Sequence, residues 1–327
     1  MQVRLDKRAR IIDEGGQAYP VDLLRDHTLK QIREKYTDEA GELTLEVGEE
    51  VPDDVVTIGG RVMFLRNTGK LCFTSLQDGF TESSNGERLQ VMLSKALVGE
   101  QALAAWKSDV DLGDFVWVKG FVARSRRGEL SVMATEWKMA SKALRPLPTL
   151  HKELGEETRV RRRYADLVAR EEARQMVRVR AAITRAIRTT LDELGFLEIE
   201  TPILQLVHGG AAARPFNTHL NAFDIGMSLR IALELYLKRA MVGGMDRVYE
   251  MGRVFRNEGI DSNHSAEFTM LEAYMSWGNQ FTIAEVIQQI IVRAADALGG
   301  RQIQTEQGVI DLDGQWEWVH VPPELSR

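Results

Sequence analysis

The sequence is poor in the residues that build covalent or metal-held sites. It has one cysteine, Cys72, among 327 residues, which excludes an internal disulfide and any zinc site built from several thiolates. Its six histidines are scattered without metal-ligand spacing, so no metal site is expected from this sequence. No Ser/His/Asp or Cys/His array suggests a protein nucleophile. No apolar run approaches the roughly 18 residues needed to cross a bilayer. The opening stretch, MQVRLDKRAR, lacks the apolar segment of a signal peptide. These absences predict a soluble, cytoplasmic protein without a membrane partner. A strong positive balance is lacking too: the net charge is −6. Basic and acidic groups number 8 and 14 in residues 1–54, 11 and 9 in residues 55–140, and 23 and 25 in the remainder. Any affinity for nucleic acid is therefore expected in the middle segment, the one with a positive balance.

With 44% hydrophobic residues, the chain can bury cores for more than one domain. Four segments are expected. Residues 1–54 form an N-terminal helical, solvated segment, with Asp26 and His27 before TLKQIREKY as a helix start. Residues 55–142 hold five short β-rich runs separated by tight polar turns, with a helical insert, GEQALAAWKSD, after the third run. That is the pattern of an OB-fold barrel, which binds single-stranded nucleic acid by stacking and basic edges. Phe73, on the second run, reads more readily as core than as a stacking ring from this pattern alone. Residues 143–170 form a linker marked by Pro146 and Pro148, followed by the basic run Arg159 to Arg163, either a solvated helix face or a contact to a phosphate backbone. Residues 171–327 hold the rest, beginning with an amphipathic helix over 171–194 that carries Met176, Val179, Ile183, Ile187 and Leu191 at helical spacing.

Within that last segment, residues 247–275 read as two strands around a polar loop, an antiparallel hairpin. Glu250, Arg256 and Glu258 share one face of the first strand; Phe268, Met270, Glu272 and Tyr274 share a face of the second. Charges in an otherwise apolar sheet need partners. Phe268 and Glu272 lie four residues apart, about 13 Å at roughly 3.3 Å per residue. A ligand touching both is elongated, flat at one end and cationic at the other. The alternative is a solvated charged face with Phe268 as core. GGAAARPF reads as a flexible loop or a surface turn, and LRIALELYLKRAMVGG as a helix, in which Glu234 can pair with Lys238 one turn on.

VFRNEG, a loop, then HSAEFTMLE closely resembles motif 2 of the class II aminoacyl-tRNA synthetases, and GFLEIETPIL, with Pro202, resembles motif 1. GGAAARPFNTHLNAFDI and LRIALELYLKRAMVGGMDRVYEMGRVFRNEG are similar to the lysyl-tRNA synthetases at nearly every position, and the resemblance runs from about Arg4 to Asp313. It implies an α+β chain: an OB-fold barrel for the anticodon, then an antiparallel class II sheet with helices, C-terminally incomplete. It further implies a lysine–tRNA ligase that makes lysyl-adenylate from lysine and ATP and passes it to tRNA(Lys), with Mg2+, as a homodimer built through the helix and strand of motif 1.

The resemblance carries roles to individual residues. Arg66, Phe73, Gln90 and Glu129 would surround a uracil, the middle anticodon base. Arg256 would bridge the lysine carboxylate and the α-phosphate as the catalytic charge; Glu258, His264 and Phe268 would hold ATP. Gly210, Glu234, Glu272 and Tyr274 would complete the lysine site, Glu234 taking the α-ammonium. Lysine is preferred because Glu272 would remain as a second anionic group. Two departures stand out: Leu233 occupies a position where the family usually has proline, and the loop GFTESSNGE is longer than expected. The family's third motif, with its Arg and magnesium-binding acids, is not found in residues 278–327. Its loss would leave a sheet edge unpaired. It also leaves open a truncated, non-catalytic tRNA-binding or regulatory paralogue. A lysyl-type ligase acting on protein is disfavoured by the OB-fold.

Overall fold

The computed structural model describes residues 1–81, 86–148, 154–261, 263–314 and 316–319. The chain divides into two compact units, Met1–Arg178 and Val179–Arg327. Part of the long GFTESSNGE loop, part of the linker and the end of the chain lie outside the described residues.

The first unit opens with helix α1 (Gln2–Asp13) and the short α2 (Leu29–Lys35). Thr28, rather than Asp26 or His27, caps α2. Its hydroxyl accepts from the Gln31 N–H while the Gln31 side chain accepts from the Thr28 N–H, a reciprocal capping box. The helix α1 is less solvated than its composition suggests. Lys7 pairs with Asp111 at 2.7 Å, Arg10 pairs with Asp109, and Arg4 donates to the carbonyls of Leu112, Ala143 and Arg145. Spaced three apart, these cations dock the helix onto the following domain instead of facing outward.

That domain is a closed barrel of β1 (Glu50–Thr68), β2 (Leu71–Gln77), β3 (Arg88–Ser94), β4 (Phe115–Arg124) and β5 (Leu130–Ser141), ordered β1-β2-β3-β5-β4. The expected insert after β3 forms as α3 (Lys95–Val98) and α4 (Glu100–Asp109). Along β2, Cys72, Thr74 and Leu76 are buried and Phe73 and Ser75 are not, so Phe73 lies on the outer face rather than in the core. The core joins Val56, Ile58, Leu76, Val91, Leu93, Val118 and Val132 to Trp106 of α4. Among the described residues of this domain, two charged side chains are fully buried, Lys142 and Asp114: Lys142 reaches Asp111 and Asp114 at 2.6 Å each.

The linker residues form α5 (Glu156–Arg161) and α6 (Arg163–Ala169), in which Arg161 and Arg163 pair with Glu157 and Asp166. Helix α7 (Glu171–Glu193) follows and spans the division between the units. Its apolar stripe is used unevenly: Leu191 is buried and Ile187 packs beside it, whereas Met176 is 61% exposed.

In the second unit, β6 (Leu197–Glu198) runs parallel to β10 (Arg247–Phe255), which pairs antiparallel with β11 (Glu267–Met275) in the order β11-β10-β6. The expected hairpin is present, and among the described residues β11 is an edge strand. A second sheet joins β7 (Leu204–Gln205), β8 (Asn217–Leu220) and β9 (Ile225–Leu229). Helix α8 (Glu234–Val242) begins later than the pattern of residues 229–244 predicts, because Leu229 still belongs to β9. Helix α9 (Gln280–Asp296) starts at a capping box on Asn279, and a final hairpin joins β12 (Gln302–Thr305) to β13 (Gly308–Asp311). The hairpin β10–β11 separates two cores. Tyr249, Leu271 and Ala273 pack with Leu191 and Val286, while Val248, Val254, Phe268, Met270 and Tyr274 pack with Leu233 and Leu237.

Candidate nucleic-acid interface and candidate active site

The barrel's outer face carries a groove of about 790 Å³ lined by Arg66, Phe73, Gln90 and Glu129 together. Strand register explains the convergence. Arg66 pairs with Phe73 across β1–β2, Phe73 with Met92 across β2–β3, and Gln90 with Ser131 across the parallel β3–β5 pair. Paired positions share a face, so residues far apart in sequence meet. The Arg66 guanidinium lies 5.9 Å from the Phe73 ring centroid, leaving a flat, cationic surface suited to a base. Glu129 sits at the β4–β5 turn, its N–H donating to the Ser125 hydroxyl at 3.0 Å.

Sequence reasoning missed several lining residues. Phe64, 52% exposed, lies two positions before Arg66 on the same strand, and simple alternation could have found it. Arg126 and Arg127 are exposed at the turn and make no ion pair among the described residues. Met92 and Met133 complete the floor.

In the second unit, the face of β10–β11 toward α8 collects the predicted amino-acid residues. The Glu272 carboxylate accepts from the Leu233 N–H at 3.0 Å and from the Tyr274 hydroxyl at 2.8 Å. Burial, and then that hydrogen bond to Glu272, raise the Tyr274 hydroxyl above its ordinary value, so it remains a donor. Glu234, the first residue of α8, pairs with Lys238 at 2.6 Å, and the Lys238 ammonium also lies 5.9 Å from the Tyr274 ring. The helix-turn pair weighed from the sequence is thus formed.

Glu250, opposite Glu272 in register, is satisfied within the protein. Arg230 holds it at 2.6 Å with both side chains buried, and the Thr201 hydroxyl donates to it at 2.5 Å. The charge left for a ligand on this part of the sheet is therefore Glu272.

Arg256 continues the hairpin, its N–H donating to the Ala266 carbonyl at 2.9 Å. Its side chain donates to the Ile231 carbonyl at 3.3 Å and lies 5.2 Å from the Phe268 ring centroid. Phe268 is partly buried and packs against the core that holds Leu233 and Leu237. Glu258 accepts from the Arg214 N–H at 3.4 Å, which brings the GGAAARPF loop beside the hairpin. His264 is exposed and held by Asp261, whose carboxylate also accepts the N–H groups of Asn263 and His264. Those backbone bonds, with the His264 contact, keep Asp261 below the usual carboxylate range. Among the described residues there is no group of three or more His, Cys, Asp or Glu side chains that could hold a metal ion.

The barrel and the charged antiparallel hairpin both fall in segments that match known protein families. Residues 155–325 match the family tRNA synthetases class II (D, K and N), residues 56–140 match the OB-fold nucleic acid binding domain, and the chain belongs to that synthetase family. Among its relatives, the lysine–tRNA ligase of Kineococcus radiotolerans is 55% identical over 100% of this chain and 63% of the relative. That of Mycobacterium tuberculosis is 53% identical over 99% of this chain and 62% of the relative. A lysylphosphatidylglycerol biosynthesis bifunctional protein of Rhodococcus jostii is 41% identical over 97% of this chain and 27% of its own length. The chain therefore spans less than two thirds of the ligases it matches.

Proposed function

We propose that the chain serves as a lysine–tRNA ligase, activating lysine with ATP and transferring it to tRNA(Lys). The observation that carries this reading is the Glu272 carboxylate, held by Leu233 and Tyr274 while its cross-strand neighbour Glu250 is neutralised by Arg230. Such a group selects a ligand with a compact second ammonium. Glu234 takes the α-ammonium once it releases Lys238, and the Gly210 backbone closes over the amino acid. Arg256 bridges the carboxylate and the α-phosphate, where charge grows in the transition state. Phe268 stacks on adenine, Glu258 accepts from it, and His264 reaches the outer phosphates. Catalysis is positioning and electrostatics, without a covalent enzyme intermediate.

In the barrel, Phe73 stacks on the middle anticodon base, with Arg66, Gln90 and Glu129 around it. The exposed apolar residues Leu197, Ile203 and Leu204 of the motif 1 stretch support a homodimer. No helix among the described residues is long and apolar enough to cross a membrane, and a cytoplasmic site of action is proposed.

Lysine-dependent ATP–pyrophosphate exchange tests the reading. Exchange with lysine but not with other amino acids is expected. Retained tRNA binding without exchange would move the function to tRNA binding alone.

A further inference from the structure

A glutamine by itself cannot tell uracil from cytosine. Its carboxamide oxygen and NH2 are nearly the same size, and rotation about the last side-chain bond exchanges acceptor for donor. Uracil offers a ring N–H beside carbonyl oxygens, whereas cytosine offers a bare ring nitrogen beside an amino group. At that ring nitrogen, an amide oxygen can accept from uracil but not from cytosine, and an amide N–H can donate to cytosine but not to uracil. Gln90 can therefore be selective only if something sets its orientation.

The barrel contains such a device. Gln90 and Ser131 are directly paired across β3–β5, and Gln90 Nε2 donates to Ser131 Oγ at 2.8 Å. Ser131 Oγ lies 2.9 Å from the carbonyl oxygen of Glu129. A carbonyl only accepts, so the single hydroxyl proton of Ser131 is committed to Glu129 and Ser131 must accept from Gln90. Ser131 is fully buried, which keeps water from exchanging these roles. The Glu129 carbonyl is itself fixed, because it also accepts the Ser125 N–H at 2.8 Å. The amide is thereby oriented with Nε2 toward Ser131, one of its two hydrogens engaged there, and Oε1 remains as its acceptor for the ring N–H of a base.

We propose that Ser131 is a positioning residue which, by locking the Gln90 carboxamide, makes the groove prefer a base with a ring N–H, uracil over cytosine. The inference rests on the reading of the groove as the anticodon site and adds the origin of its selectivity. Ser131 touches no base. It acts through Gln90.

The experiment measures binding of the full chain, by fluorescence anisotropy, to anticodon stem–loop RNAs with uridine or cytidine at the middle anticodon position. Wild type should prefer uridine by about tenfold or more. Ser131→Ala should collapse that preference to about threefold or less, chiefly by gaining affinity for cytidine, because the freed amide can flip. Ser131→Thr keeps the hydroxyl and should restore the preference; Ser131→Val, nearly its isostere, should not. That second pair carries the test if the alanine variant fails to fold, with a thermal melt run alongside each variant. An unchanged uridine preference in Ser131→Ala or Ser131→Val overturns the inference while leaving the anticodon reading intact. Gln90→Ala retaining the preference in full also overturns the inference alone, and a wild type without preference overturns both.

Discussion

Gly210 stands against Glu234. A methyl group on Gly210 would lie 2.8 Å from Glu234 Cβ and 3.5 Å from its Oε2, and Gly210 holds a φ of +87° that a larger residue adopts only under strain. The loop and the first turn of α8 are thus built to touch. Gly210→Ala should push the loop off Glu234 and raise the KM for lysine, by about tenfold or more if the misplacement costs upward of about 1.4 kcal/mol. The KM for ATP should hardly change. Pyrophosphate exchange at varied lysine and varied ATP separates the two.

Glu272 makes a sharper prediction about substrate charge. Glu272→Gln keeps the shape and an acceptor for the Leu233 N–H but removes the anion. Affinity for lysine should fall by about 2–3 kcal/mol, the scale of a charge-assisted hydrogen bond, whereas norleucine, which lacks the second ammonium, should lose little. Calorimetric titration with both ligands decides. Equal losses would mean that Glu272 shapes the pocket without selecting charge.

The hairpin and the barrel were readable because both depend on period-two alternation, a local property of the sequence. The same alternation placed Arg256 and Phe268 on the hairpin, whereas their proposed roles come from the motif resemblance alone. What escaped were relationships set by register between distant segments. Nothing near Glu250 announces Arg230, which reaches it from just after β9, in a stretch whose pattern reads as helix. Ser131 becomes meaningful only once β3 and β5 pair in parallel. The cations of α1 misled in the opposite direction: their composition suggests a solvated face, yet their partners lie about a hundred residues away.

Phe73 tests the barrel independently of the catalytic unit. Phe73→Ala removes a stacking platform worth about 1–3 kcal/mol per base, so tRNA binding should weaken by roughly 5- to 150-fold. ATP and lysine binding should be unaffected. Filter binding for tRNA and calorimetry for the small ligands read the two effects, and parallel loss of all three would show that the domains do not divide the work this way.

Lys142 provides the stability prediction, with a pH dependence whose sign is determined. Its ammonium is fully buried between Asp111 and Asp114, and Lys7 holds the other oxygen of Asp111. Burial alone would raise the Asp111 carboxylate, but the hydrogen bonds from Lys142 and then Lys7 outweigh it and hold the group below its ordinary value. A depressed folded-state value means that this stabilisation is present above the unfolded value, about 3.9, and is lost as pH falls through the folded one. Asp111→Asn should therefore lower the melting temperature at pH 7 and flatten the fall in stability on acidification. Lys142→Met should be more damaging, about 3–5 kcal/mol, because it leaves Asp114 buried without its cation. Melts of wild type and both variants from neutral to acidic pH check the sign: if Asp111→Asn loses stability in acid as steeply as wild type, the carboxylate does not carry the transition.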